Sequence, residues 1–377
     1  MKPRARTVVV VALVVTLFAL PYLFLFRPSA EQFLCAISAR SIMGGNSDVS
    51  SVALIPEQGI AESEDDGVDG SAEMAALEAM LASAATPDKT VIITTLNQAW
   101  ATKGTMIDVF LESFHKGEGT QFLLNHLVIV VLDQRSHERC REVHGHCLML
   151  KTAGVDFSGS KGFMSKDFLK MMWRRMSLLR SILELGYNFV FTDADILWFR
   201  NPFEHFANNT DFQISCDKNR GNAWSLQNKP NCGYQYARSN ERTIAMYRHW
   251  CRGGDANPDI DEQSLLNRML KSKEFTTYKV EIRFLPTERF SGFCQKSKNM
   301  SRVVTMHANC CTGLDNKVHD LRSALSDWEA RKSLPPGVNT SEIELWHVPS
   351  ACRHSLWPSP PPPVPELDPE FIVENRK

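Results

Sequence analysis

Residues 187–203 read YNFVFTDADILWFRNPF, an uncharged apolar run that ends in Asp193-Ala194-Asp195 and resumes as Ile196-Leu197-Trp198. Aromatic and β-branched residues in so short a run read as a buried strand. In open α/β sheets ligands gather beyond the carboxyl ends of strands, so the acidic triplet stands where chemistry is expected. Side chains alternate on extended backbone, which predicts Asp193 and Asp195 on one side, about 7 Å apart along the chain. Two carboxylates so placed repel each other unless a cation lies beside them. Oxygen ligands with room for water suit Mg²⁺ or Mn²⁺, which can bridge to a diphosphate. A strand-end turn with acidic caps is the alternative reading of the same residues.

Outward from this stretch, apolar runs alternate with amphipathic ones. Strands are expected at 90–96, 126–133, 188–192, 278–285 and 302–306, with further short strands after 192, and helices at about 98–115, 166–185, 240–250 and 261–270. The alternation predicts an α/β fold, a mixed sheet flanked by helices, without internal repeats.

The 377 residues, 43% of them hydrophobic, suffice for a full core. With 42 Lys+Arg against 43 Asp+Glu, the net charge of −1 supplies no basic excess for phosphate neutralisation, which excludes nucleic acid as a partner. Residues 7–26, TVVVVALVVTLFALPYLFLF, carry no charge and follow Lys2, Arg4 and Arg6. They read as a membrane-spanning signal anchor with a cytosolic tail at 1–6 and a luminal body. A cleaved signal peptide is the competing reading, although its apolar core is usually only about 7–15 residues long. Sequons at Asn208, Asn299 and Asn339 agree with a luminal body. So do the ten cysteines, which lack zinc-ribbon spacing and favour disulfides of unspecified connectivity. Residues 41–88 contain no Lys or Arg and collect acidic residues among Gly, Ser and Ala, so 27–88 reads as a flexible acidic stem, in which Cys35 either bridges a homodimer or complex or stays an unpaired or lipidated thiol. Residues 353–377 read as a Pro-rich tail.

The segment FTDADILWFRNPF, preceded by Lys170-Met-Met-Trp-Arg-Arg175 and Leu183-Glu-Leu-Gly-Tyr187, is followed by Asn231-Cys-Gly-Tyr234 and Arg238-Ser-Asn-Glu-Arg242. Together they resemble the plant nucleotide-diphospho-sugar transferases of glycosyltransferase family 77, the rhamnogalacturonan xylosyltransferases and extensin arabinosyltransferases, over roughly 89–352. The resemblance implies a GT-A domain in that span, a UDP-sugar donor and Mn²⁺ dependence. It also implies retention of configuration, a type II Golgi membrane protein, and transfer of a pentose to a cell-wall polysaccharide or glycoprotein.

By the same resemblance Asp193 and Asp195 hold metal and ribose, and His307, after the strand at 302–306, completes the metal site; an imidazole shifts preference toward Mn²⁺. Gln263 would face the anomeric carbon, with Glu262 or Asp261 on sugar hydroxyls. Read from the residues alone, Asp261 is a helix N-cap and Leu265 and Leu266 are core. Thr94, Thr95 and Asn97, at the end of the first strand, would meet the nucleotide, or simply cap the next helix. For the diphosphate the cation pool is Lys161, Lys166, Arg174, Arg175 and Arg200, from which Lys166 and Arg174 are selected. Asn231, Gly233 and Tyr234 suggest an acceptor-side loop, with Cys232 a disulfide partner. No carboxylate stands out as a nucleophile, which favours front-face attack over a covalent intermediate.

Two rivals remain open at this point. In a haloacid-dehalogenase-like phosphatase, D-x-D is the nucleophile motif and Gly254-Asp255 to Asp259 a later acidic motif, though no apolar strand precedes the latter. A non-catalytic luminal glycan-binding protein could keep the fold without turnover.

Overall fold

The computed structural model describes residues 67–150, 152, 157–159, 164–273, 275–335 and 346–355. The expected anchor at 7–26, the first part of the expected stem, Lys161, the Asn339 sequon and the tail beyond 355 lie outside the described residues. Among the described residues, no helix is long and apolar enough to cross a membrane.

Among the described residues, ten strands form two sheets. They are β1 (Thr90–Leu96), β2 (Leu127–Val131), β3 (Cys147–Met149), β4 (Asn188–Thr192), β5 (Ile196–Trp198), β6 (Phe212–Lys218), β7 (Lys229–Ala237), β8 (Ile282–Phe284), β9 (Phe290–Gly292) and β10 (Thr305–His307). Seven strands make one sheet in the order β3-β2-β1-β4-β7-β6-β8, and β5-β10-β9 make a small second sheet. The half from β3 to β4 is parallel, and β7 enters antiparallel to both β4 and β6. The helices are α1 (Gly67–Ala84), α2 (Gln98–Ala101), α3 (Met106–Lys116), α4 (Gln134–Val143), α5 (Lys166–Glu184), α6 (Glu241–Ala256), α7 (Glu262–Met269) and α8 (Leu314–Lys332).

The central strands read as unbroken apolar runs because both faces are covered. Ile92, Leu96, Ile129, Val131 and Val190 face α3, α4 and α8, meeting residues such as Phe110, Cys140 and Trp328. Val91, Ile93, Val128, Val130, Phe189 and Phe191 face the other side, where α1, α5, α6 and α7 supply Leu81, Met176, Tyr247 and Leu266. The mixed α/β sheet flanked by helices is therefore as expected from the alternation. The caps are local and polar: Ser165 for α5, Asn240 with Thr243 in a capping box for α6, and Asp261 for α7.

Four expectations change. The acidic stem does not extend to 88, since α1 buries Leu77, Leu81 and Ala84 over β2 and β3. Leu77, Leu81 and Ala84 stand at i, i+4 and i+7, the spacing of one buried helix face. The single helix at 98–115 is two helices, α2 and α3, because Gly104 takes φ +79 between them and its N–H donates to Asp108 Oδ2 at 2.5 Å. The strand at 278–285 shrinks to β8, and that at 302–306 to β10, each preceded by a 3₁₀ turn. Cys232 is not a disulfide partner. The bonds are Cys140–Cys147, Cys294–Cys310 and Cys311–Cys352, while Cys216, Cys232 and Cys251 are buried thiols. Asn208 and Asn299 of the described sequons are exposed.

Candidate active site

β4 ends at Thr192, and Asp193-Ala194-Asp195 turns instead of continuing extended. The Asp193 N–H donates to the Gly233 carbonyl of β7 at 2.6 Å. β5 then leaves antiparallel to β10, with Ile196 opposite His307. A turn between two sheets, and not strand alternation, is what makes the carboxylates converge, and β10 adds the imidazole. One ligand atom from each of Asp193, Asp195 and His307 lies within 4.8 Å of the others. His307 Nε2 stands 3.3 Å from Asp195 Oδ1 and 4.0 Å from Asp193 Oδ2. Asp195 Oδ1 is buried and makes no hydrogen bond. A buried acceptor left unpaired is costly, and a divalent cation on that oxygen removes the cost. Two carboxylates and an imidazole fit such an ion. Gly233 permits the convergence: a Cβ there would lie 2.5 Å from Asp193 Oδ2 and 2.7 Å from His307 Cε1.

Two cations, Lys317 and Arg175, fix the charge balance. Lys317, in the first turn of α8, donates to Asp195 Oδ2 at 2.5 Å and stands 5.5 Å from the centre of the Trp100 ring. Burial pushes the Asp195 carboxyl up, but the Lys317 ammonium and His307 outweigh it and hold the group well below the usual carboxylate range. Arg175 is 5% exposed, which makes it a core guanidinium. It donates to Asp193 Oδ1 at 2.9 Å and to Glu262 Oε1 at 2.5 Å, and lies over the Phe191 ring. Burial alone would lower its pKa; the two carboxylates outweigh that and hold it charged.

Asp217, at the end of β6, collects amides. Its Oδ1 accepts from Asn231 and Asn309, each at 2.9 Å, and its Oδ2 from Gln263 at 3.1 Å. Gln263 Oε1 accepts the Cys232 N–H at 3.0 Å. These groups and the triad line one cleft of about 380 Å³, whose apolar side is formed by Leu96, Trp100, Leu132, Phe168 and the two methionines Met171 and Met172. Cys310 and Cys311 stand on its rim, one bonded back to Cys294 and the other to Cys352.

Most of the residues singled out in the sequence meet here: Asp193, Asp195, His307, Asp261, Glu262, Gln263, Thr95, Asn97, Asn231 and Gly233 all line the cleft. Asn97 also caps α2 and donates to the Phe157 and Gly159 carbonyls, so it has a structural task. Glu262 offers only part of itself, one oxygen being engaged by Arg175 and the other buried without a hydrogen bond. Thr94 is fully buried inside β1 and does not reach the cleft. Tyr234 lies in the aromatic core against Trp198 and Phe290, not on an acceptor-side loop.

The two cations expected at the diphosphate, Lys166 and Arg174, do not reach the cleft. Lys166 is exposed at the start of α5, and Arg174 pairs with Glu73 of α1 at 2.5 Å; neither lines the cleft. Arg200 binds Glu118 and the Met300 and Val303 carbonyls over Trp328. Successive helical residues point about 100° apart, so Arg174 and Arg175 lie on different faces of α5. Arg175 falls on the buried stripe Met172, Met176, Leu179, Leu183, a spacing that identifies it. Lys317 carried no such signal, because α8 was not expected. Burial keeps the Cys232 thiol far above its usual pKa, which excludes it as a nucleophile. The second acidic motif of the phosphatase reading, 254–259, begins within α6 and contributes nothing to the cleft.

The sequence pattern of the nucleotide-diphospho-sugar transferases matches residues 122–321. The chain is similar to two Arabidopsis thaliana proteins described as uncharacterized. One is 43% identical over 279 residues, 74% of this chain and 74% of the relative; the other is 42% identical over 260 residues, 68% of this chain and 78% of the relative. It is more distantly similar to the UDP-D-xylose:L-fucose α-1,3-D-xylosyltransferase 3 of the same plant, 25% identical over 199 residues, 46% of this chain and 51% of that one.

Proposed function

Since the chain belongs to the nucleotide-diphospho-sugar transferase family, we propose that it is a metal-dependent glycosyltransferase. In this reading it moves a sugar, a pentose, from a UDP-sugar to a cell-wall polysaccharide or glycoprotein with retention of configuration. The observation that carries the reading is the Asp193, Asp195 and His307 cluster, with one carboxylate oxygen buried and unpaired, at the strand ends of a cleft that also holds Lys317. The pentose and the UDP carrier are supported by the name of the xylosyltransferase relative. Mn²⁺ is favoured over Mg²⁺ by the imidazole in the donor set.

Asp193, Asp195 and His307 would hold the ion, which supplies Lewis-acid stabilisation of charge on the leaving diphosphate. Lys317 supplies the protein's own positive charge to the diphosphate. Glu262 and Gln263, fixed by Arg175 and Asp217, present acceptors and donors to the sugar hydroxyls. The C1–O bond to UDP breaks with its electron pair going to the β-phosphate oxygen. The acceptor hydroxyl oxygen forms the new bond to C1 on the same face, and its proton passes to that phosphate oxygen. Each carboxylate lining the cleft has at least one oxygen engaged by Arg175, Lys317, an amide or a backbone N–H, which supports this front-face course over a covalent intermediate.

Among the described residues, three disulfides support maturation in an oxidising compartment, consistent with a Golgi lumen and an anchor at 7–26. The test is UDP release by residues 65–377, secreted, across a panel of UDP-sugars with and without Mn²⁺, with anomeric proton coupling of the product read by NMR. Metal-dependent release from one donor, abolished by Asp195→Asn in a folded protein, is the expected result. Silence from donor and acceptor panels together would leave a glycan-binding role in its place.

A further inference from the structure

We propose that Lys317 is an exchangeable counter-cation that couples metal binding to diphosphate binding. The inference rests on the donor reading above and deepens it. Asp195 is 1% exposed and holds its charge on two unlike sides. Oδ2 is neutralised by Lys317 at 2.5 Å, and Oδ1 faces His307 and Asp193 without a hydrogen bond. The two oxygens of one carboxylate are about 2.2 Å apart, so an ion on Oδ1 stands within several ångströms of the ammonium on Oδ2. Like charges that close, in a poorly hydrated site, repel strongly. A dication entering between Asp193, Asp195 and His307 therefore weakens the hold of Asp195 on Lys317.

The released ammonium has a path and a destination. Its side chain is 18% exposed, unlike the wholly buried Arg175 that also serves this cluster, and the Trp100 ring on the cleft wall lies 5.5 Å from Nζ. A cation over an aromatic face keeps part of its stabilisation while it moves. Arg175 cannot make this exchange, since it is locked between Asp193 and Glu262. A nucleoside diphosphate seated beside the ion presents the nearest new anion, and Lys317 pairs with it. Without metal, Lys317 keeps Asp195 neutralised; with metal and diphosphate it binds the ligand. Each ligand then strengthens the other, because binding linkage is reciprocal.

The prediction has opposite signs for one substitution. Lys317→Met is expected to bind Mn²⁺ alone more tightly than the wild type, by a factor of at least about three, because a competing cation is gone. In saturating Mn²⁺ it is expected to bind UDP about tenfold or more weakly, because a charge-assisted bond is missing. The enhancement of Mn²⁺ affinity by UDP, large in the wild type, shrinks accordingly. Mn²⁺ binding is read by electron paramagnetic resonance of the free ion and UDP binding by calorimetry, both on the full luminal chain, with Lys317→Gln as a second variant should the first not fold. Weaker or unchanged Mn²⁺ binding by both variants in the absence of nucleotide overturns the proposal. If the wild type binds Mn²⁺ but no UDP, the donor reading falls and the coupling falls with it. A tighter metal site in the variants would then show Lys317 to be a competitor of the metal only.

Discussion

Arg175→Met tests whether the cleft is built on a buried charge network. The guanidinium is within 2.5 Å of Glu262 and 2.9 Å of Asp193, and the two carboxylates differ in what they lose. Asp193 is 30% exposed and can turn to water, whereas the Glu262 side chain is 8% exposed and its Oε2 already lacks a hydrogen bond. Removing one partner of a buried pair costs about 3–5 kcal/mol, and here Glu262 bears nearly all of it. At about 2–4 °C per kcal/mol, Tm falls by roughly 6–20 °C. Glu262 is already raised by burial, with Arg175 opposing the rise, so losing Arg175 drives it higher still. A carboxyl whose folded pKa exceeds its unfolded value contributes stability that is full below the unfolded value and lost as pH rises through the folded one. The variant therefore loses more at pH 8 than at pH 5. Thermal and urea unfolding at both values, on the single variant and on Arg175→Met/Glu262→Met, measure this. The double variant should recover most of the loss, since an apolar pair of similar volume replaces an ion pair at little cost. A single variant within about 1 kcal/mol of wild type, or a double variant as damaged as the single, would refute the reasoning.

Gly233→Ala inserts a methyl 2.5 Å from Asp193 Oδ2, so Mn²⁺ affinity, measured by calorimetry, should fall about tenfold or more while overpacking costs only about 1–3 kcal/mol in a urea melt. Asp320 is fully buried and accepts from the Ser350, Ala351 and Cys352 N–H groups and the Ser350 hydroxyl. Burial would raise its pKa, but those donors bring it below the usual value. Its contribution is thus present above the unfolded carboxyl pKa and lost as pH falls through the folded one, so the stability gap between wild type and Asp320→Asn should be widest near neutrality and close below about pH 4. A chain begun at 89 instead of 65 lacks Leu77 and Leu81, both buried, and should be less stable by about 3–6 kcal/mol; equal urea midpoints would show α1 to be dispensable.

The alternation of apolar runs made the sheet legible, because a strand covered on both faces must be apolar throughout and Asn188–Thr192 shows no other pattern. Asp193 and Asp195 were legible because strand ends are where a sheet delivers polar groups, whereas His307 was reached through the family resemblance. What failed was geometry that depends on partners. The turn at Asp193 is set by Gly233 on a strand 40 residues away in sequence, and no local propensity encodes it. The choice between Arg174 and Arg175 was readable from the helical stripe but not from charge. Lys317 reaches Asp195 across 122 residues of sequence, a separation that no local pattern encodes. The stem failed for a compositional reason, since a few leucines at the right spacing suffice for one helix against a sheet.

The neighbouring cysteines Cys310 and Cys311 bind in two directions, to Cys294 on one side and Cys352 on the other. Their consequence concerns the order in which a working molecule comes into being. Chains emerge amino terminus first, so the acidic turn exists well before the ribosome has made His307, Lys317 or Cys352. The second crosslink needs nearly the last of the described residues and an oxidant as well. A half-made or reduced chain therefore carries the two aspartates without the fixed rim that frames them.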